Sequence, residues 1–237
     1  MLTFLAYCVV GVFVAGFLWK ISVYARTPAP LLIPTTPAPV TRGGVVWRLF
    51  REVAFFESLF KADKFLWIAG YLFHAALALV LIRHIRYFCD PLPAIFAHYQ
   101  IVGILAGIAM VGALGLLWAR RFLIDRVRHI SSVADHLFLW LLMGIGGTGL
   151  VMDFFLRPDI IAIKRAMTTL WTSPSASLSM ASPGDVIFII HILMVAVLLV
   201  VFPFSKLMHL GGIFFSPTRN QVDNPREKRH VNPWYAD

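Results

Sequence analysis

Four histidines sit on two apolar stretches of the chain. His74 and His84 lie within and just after Phe65–Ile82, and His191 and His209 lie within and just after Val186–Met208. Ionisable side chains inside apolar spans are costly and generally serve function. A neutral imidazole is the usual axial ligand of b-type haem iron. Two histidines on each of two spans therefore predict two bis-histidine haems b, with iron ligands His74 and His209 for one and His84 and His191 for the other. The chemistry is electron transfer, and no side chain is assigned a catalytic role.

The levels follow from the topology. In a protein of five spans, the second and fifth run antiparallel. His74 then shares a level with His209, toward the cytoplasm, and His84 with His191, toward the outer face. The ten-residue spacing from His74 to His84 rises ~15 Å along a helix, at about 1.5 Å per residue. The eighteen-residue spacing from His191 to His209 rises ~27 Å. Tilt or a bend must absorb the difference, and Pro203 is the expected site of a bend. Eighteen residues make about five whole turns, so an unbroken helix points His191 and His209 the same way. His84 lies about 80° from His74 around its helix, which suits two separate haems and not one metal. His129 and His136, at the start of the fourth span, and His230, near the C-terminus, receive no haem role.

Composition sets the class. The 237 residues are 59% hydrophobic and 14% charged, with a mean hydropathy of +0.78. Ordinary soluble domains carry about 25% charged residues. The fold class expected is all-α integral membrane, in which every backbone polar group is satisfied inside a helix. The net charge of +9 fits basic loops on the cytoplasmic face, and no nucleic-acid partner is expected. Cys8 and Cys89 are far apart and form no CxxC. They cannot by themselves hold an iron–sulfur cluster or a structural zinc, so cluster chemistry must lie on a partner.

Hydropathy predicts five spans, at about 2–19, 65–84, 99–119, 133–152 and 186–209. The first has no basic residues before it, with Lys20 and Arg26 after it, and reads as a retained anchor. Thr27–Pro39 holds five prolines and reads as an extended linker. In Val45–Lys61, Val45, Leu49, Val53, Phe56 and Phe60 recur at helical spacing, with Arg48, Arg51, Glu52 and Glu57 off that stripe. This predicts an amphipathic helix at the membrane surface or under a partner. Asp153–Asp185 reads as a loop with a short helix near Ile160–Trp171. Residues 1–212 form the membrane domain and 213–237 a cytoplasmic tail. Sixteen of the Lys and Arg residues fall in alternate loops on one side, against five on the other. That asymmetry puts the N-terminus outside and the C-terminus in the cytoplasm.

The paired spacings and the FPFSKLMH ending (Phe202–His209) resemble the gamma subunit of respiratory nitrate reductase. That family is a five-helix dihaem cytochrome b that oxidises quinol. SLFKADKFLW (Ser58–Trp67) running into GYLFHAALALVLIRHIRYF (Gly70–Phe88) is more similar to DsrM, the cytochrome b subunit of the Dsr transmembrane complexes of sulfur metabolism. The resemblance implies the same four histidine ligands for two haems b. It also implies a quinone as substrate and the prokaryotic cytoplasmic membrane as location. Its implied partners are a cytoplasmic iron–sulfur subunit similar to heterodisulfide reductase (DsrK-like), other Dsr complex subunits and, more distantly, a DsrC-like sulfur carrier. The nitrate reductase subunit has a quinol-binding lysine in the loop after the second span. Asp90–Gln100 contains none here. The quinone site is therefore not carried over, and Arg83, Arg86, His98 and Gln100 are candidates by location. The other reading is a non-haem membrane anchor for a catalytic partner, which needs no buried histidines at matched depths.

Overall fold

The computed structural model describes residues 2–28, 37–89, 91–96, 99–170 and 181–223, and these are nearly all helical. Five helical segments are long and apolar enough to cross a membrane: Thr3–Arg26, Lys64–Tyr87, Gln100–Leu123, Val133–Phe154 and Pro183–Phe204. The count matches the hydropathy reading. The first span is longer than 2–19 because its helix, α1 (Leu2–Arg26), continues through Lys20 to the proline-rich stretch. Most of that stretch lies outside the described residues.

The described chain forms two compact units, Met1–Val10 with Asp63–Val200, and Gly11–Ala62 with Val201–Asp237. The first is built on α4 (Lys64–His84), α5 (Gln100–Leu123) and α7 (Val133–Phe154). Its helix starts are legible locally. Asp63 accepts the Leu66 amide hydrogen at 2.9 Å and caps α4. Ser132 and Asp135 make a reciprocal capping box on α7. Ala76, Ala106, Met110 and Leu114 form the buried centre, with Phe73, Val80, Leu139 and Met143 against it. Small residues let the helices approach, as membrane helices require in the absence of a hydrophobic drive between them. Gly146 is one case: a Cβ there would lie 2.7 Å from Val111 Cγ2 and 2.8 Å from Met110 Cε. Beyond α7, helix α8 (Ile160–Thr169) starts on an Asp159 cap, close to the short helix expected from sequence. The last long helix of this unit, α9, runs from Pro183 to Val201.

The second unit holds most of α1, the short helices α2 (Arg42–Phe55) and α3 (Glu57–Ala62), and the chain after Val201. Here one expectation is corrected. The fifth span is not one helix to His209. It passes from α9 into a tight 3-10 turn at Phe202–Phe204, then an extended Ser205 (φ −121°, ψ 174°), then a second turn at Lys206–Met208. Pro203 has no N–H to give and biases Phe202 away from the α conformation. Ser205 completes the break: its hydroxyl donates to the Phe202 carbonyl at 2.9 Å and accepts from the Leu207 amide at 3.1 Å. His209 therefore opens a separate helix, α10 (His209–Gly212), and the count of whole turns from His191 does not apply. Gly16 of α1 faces the buried Pro203, and Phe13 meets Phe202 edge-on with centroids 5.5 Å apart.

On α2, Val45 is buried, and Val46, Trp47, Phe50 and Val53 are exposed, as is Phe60 of α3. The charged side faces inward. The Glu52 side chain is only 8% exposed and lies 3.6 Å from Arg219 of α11 (Pro217–Asn220). Between α2 and α3, Phe56 adopts the left-handed conformation (φ 51°), a cost of about 1–2 kcal/mol for a residue with a Cβ. Arg51–Glu57 and Glu52–Ser58 bonds bridge that turn and hold it. Glu57 also takes Lys61 at 2.6 Å, and that bond is the first cause of its lowered pKa.

Candidate functional site

His84 closes α4, and His191 lies midway along α9. Their ring centroids are 6.3 Å apart, and the ring planes are within 6° of parallel. Rings in direct contact would approach to about 3.5–4.0 Å. Two imidazole–metal bonds of about 2.0 Å, with the ring halves behind them, bring the centroids to about 6 Å. The donor set can also be tested. Among the described residues, no group of three or more His, Cys, Asp or Glu side chains could hold a metal ion. A structural zinc takes four protein ligands. Haem brings its own macrocycle and asks the protein only for axial donors. Two facing imidazoles fit haem and do not fit a bare ion.

The outer shell of this pair has the form that metal-ligating histidines use, with the second ring nitrogen held by an acceptor. His84 Nδ1 meets the Val80 carbonyl at 2.7 Å, within its own helix. His191 Nδ1 meets Thr148 Oγ1 of α7 at 2.9 Å. In both rings Nε2 is the nitrogen not engaged by these bonds. His191 is 8% exposed, and Gly149 leaves the edge of its ring open, with a Cβ there 3.8 Å from Cε1. Tyr87 lies edge-on to His84 at 5.8 Å. Tyr87 also joins Met152 and Ile192 around the buried group Ile163, Ala166, Met167 and Phe188, which packs α8 over the start of α9. Asp185 pins the approach to α9 by accepting the Asp159 and Ser182 amide hydrogens at 3.3 and 3.0 Å.

The other candidates divide. His74 is in the first unit, with Nδ1 2.7 Å from the Gly70 carbonyl. His209 is in the second unit and exposed, with Nδ1 2.9 Å from the Lys206 carbonyl. Arg83 clamps α4 to α7 through a two-pronged bond to Asp153, at 2.6 and 2.7 Å. Its stem lies against Gly103 of α5, where a Cβ would meet it. Arg86 donates to Gln100 Oε1 at 2.6 Å at an exposed position. His98 lies outside the described residues. His136 packs on Phe122, and His129 Nδ1 meets the Asp125 carbonyl of its own turn. Thr148 and Asp153 were missed from sequence. Thr148 is the lone hydroxyl of α7, in a run of glycines, and Asp153 reads as the first residue of a loop.

Comparisons bear on the family. The model of the nitrate reductase gamma subunit family matches residues 38–222. The chain is 37% identical to the Hdr-like menaquinol oxidoreductase cytochrome b-like subunit of Archaeoglobus fulgidus, covering 96% of this chain and 81% of that protein. It is 30% identical to the protein of the same description from Archaeoglobus profundus, over 97% and 81%. Five membrane-length helices, a facing histidine pair and these matches agree with a cytochrome b of the DsrM kind, and the chain belongs to the nitrate reductase gamma subunit family.

Proposed function

We propose that the protein is the dihaem b membrane subunit of a respiratory complex in sulfur metabolism, exchanging electrons between the quinone pool and a cytoplasmic iron–sulfur partner. The observation that supports this reading is the His84–His191 pair, parallel with centroids 6.3 Å apart and both Nδ1 atoms held, which would hold a haem between them. His74 and His209 are the ligands of the second haem, nearer the cytoplasm. Haem b bound at these sites supplies one-electron chemistry; the protein contributes ligation, burial and hydrogen bonding.

The Lys and Arg asymmetry supports an N-terminus outside and a C-terminus in the cytoplasm. The His84–His191 end of the first unit then faces outward, beside the quinone site. Arg86 and Gln100 are polar groups available there to hold a quinone head, and His98 is a further candidate by its place in the sequence. Arg83 shapes that end by tying α4 to α7. The relatives' description makes menaquinol the quinone of choice. The partner is a heterodisulfide reductase-like (DsrK-like) subunit, met by the cytoplasmic face and the tail at 213–237. A dithionite-reduced-minus-oxidised spectrum of the purified protein, with a haem-to-protein ratio, tests the reading. A b-type alpha band with two haems per chain is expected. A preparation with no such band defeats it.

A further inference from the structure

We propose that Thr148 is a positioning residue: its hydroxyl fixes His191 in the Nδ1–H form and sets how strongly that ring donates to iron. The inference rests on the haem reading above and goes one residue further. Thr148 Oγ1 lies 2.8 Å from the Gly144 carbonyl oxygen, 3.0 Å from that of Ile145 and 2.9 Å from His191 Nδ1. A threonine hydroxyl has one proton, and a carbonyl oxygen can only accept. The proton therefore goes to a carbonyl of α7, and the oxygen meets Nδ1 with a lone pair. Nδ1 must then carry the ring proton, which leaves the Nε2 lone pair for a metal. The opposite arrangement, with the hydroxyl donating to Nδ1, moves the ring proton to Nε2 and blocks ligation. It also leaves two carbonyls against oxygen lone pairs.

The Nδ1 atoms of His74, His84 and His209 meet backbone carbonyls of their own helical turns. His191 Nδ1 meets a side chain from another helix. Gly144 and Gly149 face α9, where a Cβ would lie 3.1 Å from Met194 Sδ and 3.8 Å from His191 Cε1, and so let α7 bring Thr148 within reach. An acceptor on Nδ1 raises the basicity of the ligand and so favours the oxidised iron. Removing it favours the reduced iron and raises the potential.

The test compares Thr148→Val, which keeps the shape, with Thr148→Ser, which keeps the hydroxyl, in the purified full-length protein. The readouts are the haem-to-protein ratio, a redox titration of the alpha band and the low-spin electron paramagnetic resonance of the oxidised haems. Thr148→Val is expected to raise the potential of one haem by about tenfold in its reduction equilibrium, or about 59 mV for one electron. The shifted haem is the one that His84→Ala removes, and Thr148→Ser returns the wild-type value. Unchanged potentials and resonances in Thr148→Val overturn the inference while leaving the haem reading intact. If Thr148→Val instead loses that haem, restoration by Thr148→Ser supports the inference, and loss in both variants overturns it. A wild-type protein with no alpha band defeats the haem reading and this inference with it.

Discussion

His191 and His209 are carried by one stretch of sequence but positioned by different physics. His191 stands on the unbroken part of α9, is 8% exposed, and is oriented by a hydroxyl from another helix. His209 stands beyond the break at Phe202–Ser205, is exposed, and is oriented by the carbonyl of Lys206 three residues before it. The Nδ1 bond of the first comes from tertiary packing and that of the second from its own turn. A histidine of the first kind is sensitive to any change that moves a neighbouring helix, and one of the second kind to local chain geometry.

The largest effect that can break this comparison is loss of a haem. His191→Ala and His209→Ala are each expected to lower the haem-to-protein ratio from two to one, removing different haems in a redox titration. Equal loss of both in either variant would show that the two regions are not separately organised. Next comes the clamp that holds α4 against α7. Asp153→Ala leaves Arg83 unpaired at 12% exposure, and should destabilise the protein by about 2–3 kcal/mol, below the range for fully buried pairs. Thermal unfolding in detergent measures it, and Arg83→Ala with Asp153→Ala together should cost less than the sum. The haem that survives His191→Ala should keep its potential in these variants.

Gly184→Ala tests the approach to α9. A Cβ there would lie 2.6 Å from the backbone carbonyl of Arg157, and backbone cannot move aside as a side chain can. A loss of about 1–3 kcal/mol is expected, again with the effect confined to the His84–His191 haem. Pro203→Ala is the matched change on the local side. It relaxes the break before His209 and costs about 1 kcal/mol through the unfolded chain. The spectrum of the haem that depends on His209 should change, and the other should not. The smallest effect is that of pH on the α4 cap. The Asp63 carboxyl is held below its usual range, first by the Leu66 amide and then by Arg120 at 3.1 Å. A lowered folded pKa gives stability that is fully present above the unfolded value of 3.8 and is lost as pH falls through the folded value. Melting temperature should decline over that acid range in the native protein, and less so in Asp63→Asn.

Much of the arrangement was legible in the residues. Long apolar runs fixed five spans, because a membrane helix needs about 20 such residues whatever its neighbours are. Antiparallel spans also brought His84 to the level of His191, and the structure sets those rings parallel with centroids 6.3 Å apart. Two features were not legible. The helical count through FPFSKLMH treated Pro203 as a bend, when the Ser205 side chain makes a full break. Thr148 looked like one more small residue among glycines, because a hydrogen bond between α7 and α9 has no periodicity in sequence.

The Nδ1 bonds also impose an order on biogenesis. A chain is made and inserted N-terminus first. The ring of His84 is oriented as soon as α4 winds, because Val80 belongs to the same helix. His191 emerges only with the last span, and its ring is oriented only when α9 meets α7. The nascent protein thus offers a half-site of one oriented imidazole through most of its synthesis and completes it at the final insertion. On the proposed reading, cofactor capture at this pair is a late checkpoint, reached only by chains whose fourth and fifth spans have already docked.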